Sequence, residues 1–335
     1  MDNKKRDEFW QLLCGFNGIN IDEELRQVHN TLEYPKLLYK YLPISEYALD
    51  NLRTNTLYFS SADKFDDPFD TYIHVDSKEV ERQVKEFFKN TQAIDTFKEL
   101  YKELYGQSFS QNADKINELF NSKFVMNVFN AVSKNTRSFI QQSICAACFS
   151  EEEHNRALWL KYGQNHQGFC LIYDTTNSTN YLCGKEEKCN NCKSNIPTPL
   201  YPIYYSKDKL DASQHIEHII GLTLLEQLPN TDSELFNRFS DMIRITYGND
   251  VWWNVRVSII KEYSHNQDKE WRMLINNPYK NGFIKKWRPS GIILGLKTSE
   301  TNKSILISLA REAGIEHIYQ TVIDDNDELK SVEIK

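Results

Sequence analysis

The sequence predicts an α+β fold, a mixed β-sheet core carrying large helical insertions. Short apolar or aromatic runs bounded by turn residues recur along the chain at 37–41, 57–60, 143–150, 168–173, 268–275 and 291–295, as buried strands do. Between them lie long stretches with helical spacing, above all 78–134, where Val80, Val84, Phe87 and Phe88 are followed by Phe97, Leu100, Tyr101 and Leu104. The segment 37–70 joins the two textures: strand, helix, strand, then a polar rim.

Residues 3–34 read as helical, with Phe9, Leu12 and Leu13 on one face. Pro43 stops the first strand, Ser45 stands as a helix N-cap, and Glu46 complements the dipole. Tyr47, Leu49 and Leu52 give that helix its apolar face, and Thr54-Asn55-Thr56 turns the chain into the strand at 57–60. Ser61, Asp63, Asp66, Asp67 and Asp70 then cluster around Pro68, and Asp66, Asp67 and Asp70 are expected to order the turn by side-chain to backbone hydrogen bonds.

After the strand at 143–150, an acidic turn at 151–153 leads to a short helix over 157–162. Residues 175–200 read as a polar loop, 202–205 as a strand, and 210–247 and 251–263 as helical. Beyond the strands at 268–275 and 291–295, a helix at 302–313 and a strand at 316–322 follow, and 332–334 closes the sheet. The chain is expected to form one elaborated domain over 1–335. Its parts are a helical appendage at 1–34, a sheet core at 35–76 and 143–335, and helical insertions at 77–142 and 206–247.

Hydrophobic residues make up 40% and aromatics 13% of the 335 residues, enough for a substantial core and far from the disordered class. The net charge of -7 argues against global attraction to nucleic acid or anionic membrane, leaving only a local basic patch. No run approaches the roughly 18 apolar residues a membrane helix needs. The first residues, MDNKKRDEFWQLLCGF, carry no long apolar stretch with a cleavage site. An odd count of 7 cysteines argues against a secreted disulfide framework. A cytoplasmic protein is expected, with no membrane partner and an open oligomeric state.

Two cysteine pairs, Cys145/Cys148 and Cys189/Cys192, have zinc-like spacing. The first lies in a strand, where residues three apart face opposite ways. Cys183, Cys189 and Cys192 lack an evident fourth ligand, so no metal is expected. GxGxxG, Walker, GxSxG and HExxH motifs are all absent, which argues against ATP hydrolysis, classical dehydrogenase and α/β-hydrolase chemistry.

Polar residues at strand ends beside aromatics are the candidates for a site: Lys40, Ser60, Ser61, Asp66, Asp67, Asp70, Trp159, Tyr162, His166, Asp268, Glu270 and Arg272. Alternation along the strand at 268–275 places Asp268, Glu270 and Arg272 on one face. Two acids projecting into one space can raise a pKa and serve acid–base work, and an ion pair with Arg272 is the structural alternative. In HNRALWLKYGQNH, Trp159, Tyr162 and His166 form either a ligand platform or a packed helix capped by the histidine.

The segments LYKY, YFSSADKFDDPFD, CFSEEEHNRALWLKYGQNHQGFCLIYD and DKEWRMLI resemble, in order and spacing, a bacterial family of unknown function, number 2971. More distantly, LLYKY, LYFSSA and DKE resemble the three signatures of ADP-ribosyltransferases, implying a split sheet. That resemblance implies NAD as substrate, held by Lys40, Ser60 and Ser61, and Tyr58, Trp159, Tyr162, His166 and Arg272 are the further residues expected to bind it. Glu270 would stabilise a ribosyl cation, with Asp268 beside it. Lys40 and Asp268 depart from that family's usual Arg/His and Glu/Gln. The expectation is ADP-ribosyl transfer or NAD glycohydrolysis on an unknown protein or nucleic-acid acceptor, in phage defence or toxin activity. The alternative is a non-catalytic nucleotide- or nucleic-acid-binding sensor of a bacterial defence system.

Overall fold

The computed structural model describes residues 1–87, 122–176, 200–217, 251–276 and 283–334, with residues 89, 95, 99, 102 and 219. Local signals set the first elements. The LLYKYL strand β1 (Leu37–Leu42) ends before Pro43, and Ser45 Oγ accepts from the Ala48 amide at 3.3 Å to start α3 (Glu46–Thr54). Asn55 closes that helix in the left-handed region (φ 54°) and feeds β2 (Thr56–Ser61). Upstream lie α1 (Asn3–Gly15) and α2 (Ile21–Thr31).

The expected helical insertion at 77–142 opens with α4 (Ser77–Phe87) and closes with α5 (Ser122–Ser143). Strand β3 (Ile144–Ser150), α6 (Arg156–Lys161), β4 (Phe169–Asp174), β5 (Leu200–Pro202) and β6 (Tyr204–Ser206) come next. Most of the insertion expected at 206–247, and the trio Cys183, Cys189 and Cys192, lie outside the described residues.

The helix expected at 251–263 is shorter, and the difference matters. It stops as α7 (Trp253–Ile259), and Ile260–Glu262 becomes β7, parallel to β6. Pairing with a strand distant in sequence overrides local helical spacing there. The chain finishes with β8 (Glu270–Asn276), β9 (Phe283–Lys286), β10 (Gly291–Leu294), α8 (Glu300–Glu312), β11 (His317–Ile323) and β12 (Leu329–Glu333).

Among the described residues, ten strands form one mixed sheet in which only β10 and β11 run parallel, as the α8 crossover requires. The backbone path runs β12-β11-β10-β4-β1-β3-β2-β9, while β8 lies along the far edge of β3 and carries β5. Strand β3 is where the sheet forks. One of its edges pairs with β8 along its length, from Ile144 to Ser150. The other edge is shared: β2 takes the start (Ser60↔Ala146, Ser61↔Cys145) and β1 only the end (Tyr39↔Ser150). Strands β1 and β2 therefore diverge over residues 147–149.

The residues expected as an appendage pack into the main core. Phe9 and Leu13 are buried, Phe9 stacks on Tyr201, and Trp10 lies against Tyr204 at 4.5 Å between ring centroids. Buried Arg6 donates to the carbonyls of Ile203 and Glu270 at 2.8 and 2.9 Å, so α1 holds the backbone at the start of β8. On the opposite face of β1 and β4, α6 packs Leu158 and Trp159 against Tyr39, Tyr41, Cys170 and Ile172.

The turn after α6 is tightly specified. Gln164, Asn165 and His166 all take positive φ (52°, 54° and 67°), which is costly for three non-glycine residues in succession. A Cβ on Gly168 would stand 2.2 Å from the Leu42 carbonyl oxygen. Gly168→Ala should lower the melting temperature by several degrees, an overpacking cost of about 1–3 kcal/mol. Thermal unfolding followed by circular dichroism checks this, and an unchanged midpoint would refute the close approach.

Candidate functional site

A cleft of about 420 Å³ opens where β1 and β2 part. Of the residues expected at a site, Lys40, Tyr58, Ser60, Tyr162, Asp268, Glu270 and Arg272 line it. Three others do not. Ser61 alternates to the other side of β2, where its buried hydroxyl has no partner among the described residues. Trp159 is fully buried beneath Tyr41, the two rings meeting edge-on at 5.2 Å. His166 stacks on the far side of Trp159, 5.8 Å between centroids, held there by the left-handed turn. In HNRALWLKYGQNH, therefore, Leu158, Lys161 and Tyr162 reach the cleft.

The floor of the cleft is a chain of buried charges. Glu270 and Arg272, two apart on β8, share a face as alternation predicts, with Arg272 Nε donating to Glu270 Oε1 at 2.6 Å. Arg272 also grips Asp70 with both terminal nitrogens, at 2.7 and 2.6 Å, and donates to the Ser258 carbonyl at 2.7 Å. Lys261 Nζ donates to Glu270 Oε2 at 2.8 Å and Asp268 Oδ2 at 3.2 Å. Two expectations are corrected here. Asp268 is not on the strand: it ends a 3-10 turn (Tyr263–Asp268), and Lys269 in the left-handed region (φ 42°) turns the chain before β8 begins. Asp70 does not order its own turn but reaches across to Arg272. Asp67 takes the expected turn role, accepting from the Phe69 amide at 2.9 Å.

Burial alone would push the Glu270 carboxyl up, but Arg272 and Lys261 outweigh it and hold Glu270 well below the usual carboxylate range. Glu270 is thus an ionised, doubly paired carboxylate rather than a proton acceptor. Lys40 is different. Its Nζ donates to the Cys148 carbonyl at 3.2 Å, an oxygen within the part of β3 where neither strand of the fork pairs. The ammonium also sits 5.5 Å from the Phe149 ring centroid. Among the described residues no carboxylate lies within 4.0 Å of it. Burial lowers its pKa from the ordinary lysine value. An ammonium has three donors, and among the described residues only one is used.

Tyr41, Tyr47, Phe65, Phe149 and Tyr173 also wall the cleft, with Tyr58 36% and Tyr47 83% exposed at its mouth. Asp70 is one of the polar candidates that the sequence offers and does line the cleft, whereas Lys261 is legible there only as an alternative ion-pair partner for Glu270. Lys261 lies in a three-residue strand within a helix-like pattern, so its place in the lining does not stand out locally. Among the described residues, no group of three or more His, Cys, Asp or Glu side chains is placed to hold a metal, and no helix is long and apolar enough to cross a membrane.

Residues 158–273 match the family model described as Protein of unknown function (DUF2971). The match runs from α6 through β8, and so includes Lys161, Tyr162, Lys261, Asp268, Glu270 and Arg272, about a third of the chain. The resemblance read from CFSEEEHNRALWLKYGQNHQGFCLIYD and DKEWRMLI falls largely within it, whereas LYKY and YFSSADKFDDPFD lie before it. No curated protein and no solved structure matches the chain.

Proposed function

We propose that the fork is a nucleotide-binding cleft, with NAD as the foremost ligand, and that the protein senses or consumes it. The observation that carries this reading is Lys40: a half-buried ammonium with two free donors and no carboxylate partner among the described residues, facing an aromatic cleft. A phosphate oxygen satisfies such a group, and the exposed rings of Tyr58 and Tyr47 offer faces to a base. The volume suits a ligand of nucleotide size. Calorimetric titration with NAD, ADP-ribose, AMP and inorganic phosphate tests it. Binding that grows with phosphate and base together supports the reading, and no heat with any of the four overturns it.

A second reading, ADP-ribosyl transfer or NAD glycohydrolysis by an ADP-ribosyltransferase-like split sheet, is favoured by Lys40, Ser60 and Glu270 lining one cleft. An ionised Glu270 keeps lone pairs beyond the two that Arg272 and Lys261 occupy, and those could face a developing ribosyl cation. Glu270→Gln separates the two readings. As a member of the buried charge chain, Glu270 should cost several degrees of melting temperature when neutralised. If it also acts on ribose, nicotinamide release by the parent protein should fall about a hundredfold in the folded variant while NAD binding persists. A parent protein that binds NAD but releases no nicotinamide leaves the sensor reading standing alone.

A further inference from the structure

Beside the mouth of the cleft runs a surface strip in which aromatic rings and cations alternate. Asp67 lines the cleft, and its carboxylate holds the amide of Phe69, whose ring is 65% exposed. Lys209 Nζ lies 5.7 Å from the Phe69 ring centroid. Phe69 meets Tyr72 edge-on at 5.6 Å, and the Arg137 guanidinium lies 4.1 Å from the Tyr72 centroid. The strip continues on the other side of Asp67. His265 approaches Asp67 at 3.8 Å, and in the same 3-10 turn Tyr263 is 41% exposed with Lys207 Nζ 5.5 Å from its ring.

Three ring–cation pairs fall within this one strip. Among the described residues none of the three rings joins a hydrophobic core, and solvating Phe69 and Tyr263 costs free energy that an intramolecular role would avoid.

We propose that this strip binds single-stranded nucleic acid, bases stacking on Phe69 and Tyr263 and phosphates meeting Lys207, Lys209 and Arg137. Stacking platforms interleaved with cations are what a flexible strand recognises, because every base offers a π-face and every linkage a charge. The acids Asp67 and Asp208 lie within the strip, so only a few phosphates are neutralised and binding is modest. The inference extends the nucleotide-cleft reading by naming the partner presented to the cleft, and its test does not depend on that reading.

Fluorescence anisotropy of a labelled 12-nucleotide oligothymidine, at several salt concentrations, tests the proposal on the full chain. Saturable binding should appear at low salt, with a log–log salt slope of about −2 for three phosphates on a single strand. Phe69→Ala and Tyr263→Ala should each weaken binding about tenfold, and Lys207→Glu/Lys209→Glu should also flatten the slope. Lys40→Met should leave strand binding unchanged, so loss of NAD binding and loss of strand binding are separable. No saturable binding at low salt, or binding indifferent to Phe69, Tyr263 and the two lysines, overturns the proposal. Binding of the corresponding duplex equal to that of the single strand overturns it too, since a duplex hides the base faces.

Discussion

Arg272→Met should lower the melting temperature by on the order of 10 °C, the largest effect of any single change in the cleft. Arg272 is 1% exposed and donates four hydrogen bonds, three of them to the carboxylates of Asp70 and Glu270. Removing the guanidinium leaves Asp70 buried without its charge partner and Glu270 with only Lys261. Stranding a buried charge in this way costs about 3–5 kcal/mol. Because the pair joins β8 to the loop after β2, the cost falls on the wall of the fork itself. Differential scanning calorimetry of Arg272→Met, Asp70→Asn and the double variant checks the coupling. Additive losses would show that the two groups act independently.

The pH dependence has a definite sign. The folded-state pKa of Glu270 is depressed, so its contribution is fully present above the ordinary carboxylate value of about 4.3 and fades as pH falls below it. The gap between parent and Arg272→Met melting temperatures should therefore be wide at pH 7 and narrow as the pH is taken down through 4. A gap that widened toward acid would contradict the ion-pair account.

Lys40→Met should weaken nucleotide binding about tenfold to a hundredfold while leaving the fold nearly as stable. A hydrogen bond to a charged group is worth about 1.5–3 kcal/mol, which is that range in affinity. Methionine keeps the length of the apolar stem along Phe149 but supplies no donor. The lost bond to the Cys148 carbonyl is a single neutral acceptor beside a solvent-filled cleft, so the melting temperature should move by only a few degrees. Calorimetric titration with NAD decides it. Affinity equal to the parent's would place the phosphates elsewhere in the cleft.

Much of the frame is legible from the residues alone. Ser45 as a cap, Pro43 as a stop, the turn at Thr54-Asn55-Thr56 and the short apolar run from Leu37 to Tyr41 all act within a few residues, so the strand–helix–strand segment follows from local stereochemistry. The common face of Glu270 and Arg272 follows from the pleat of β8 in the same way. What alternation could not convey was that Ser61 leaves the cleft that Ser60 lines, because both readings of an adjacent serine pair are equally good until the strand's orientation is set by its partner.

The sequence dictated periodicities, caps and turns, which depend on neighbours three or four residues away. Pairings between residues far apart in the chain belonged to the tertiary structure. Lys261 meets Glu270 only because β7 pairs with β6 instead of continuing α7, and Asp70 meets Arg272 across 202 positions of sequence. Lys40 holds its unpaired charge because β1 and β2 share one edge of β3 and leave the Cys148 carbonyl between them. Charge pairing and desolvation are properties of distance in space, and no local pattern encodes them.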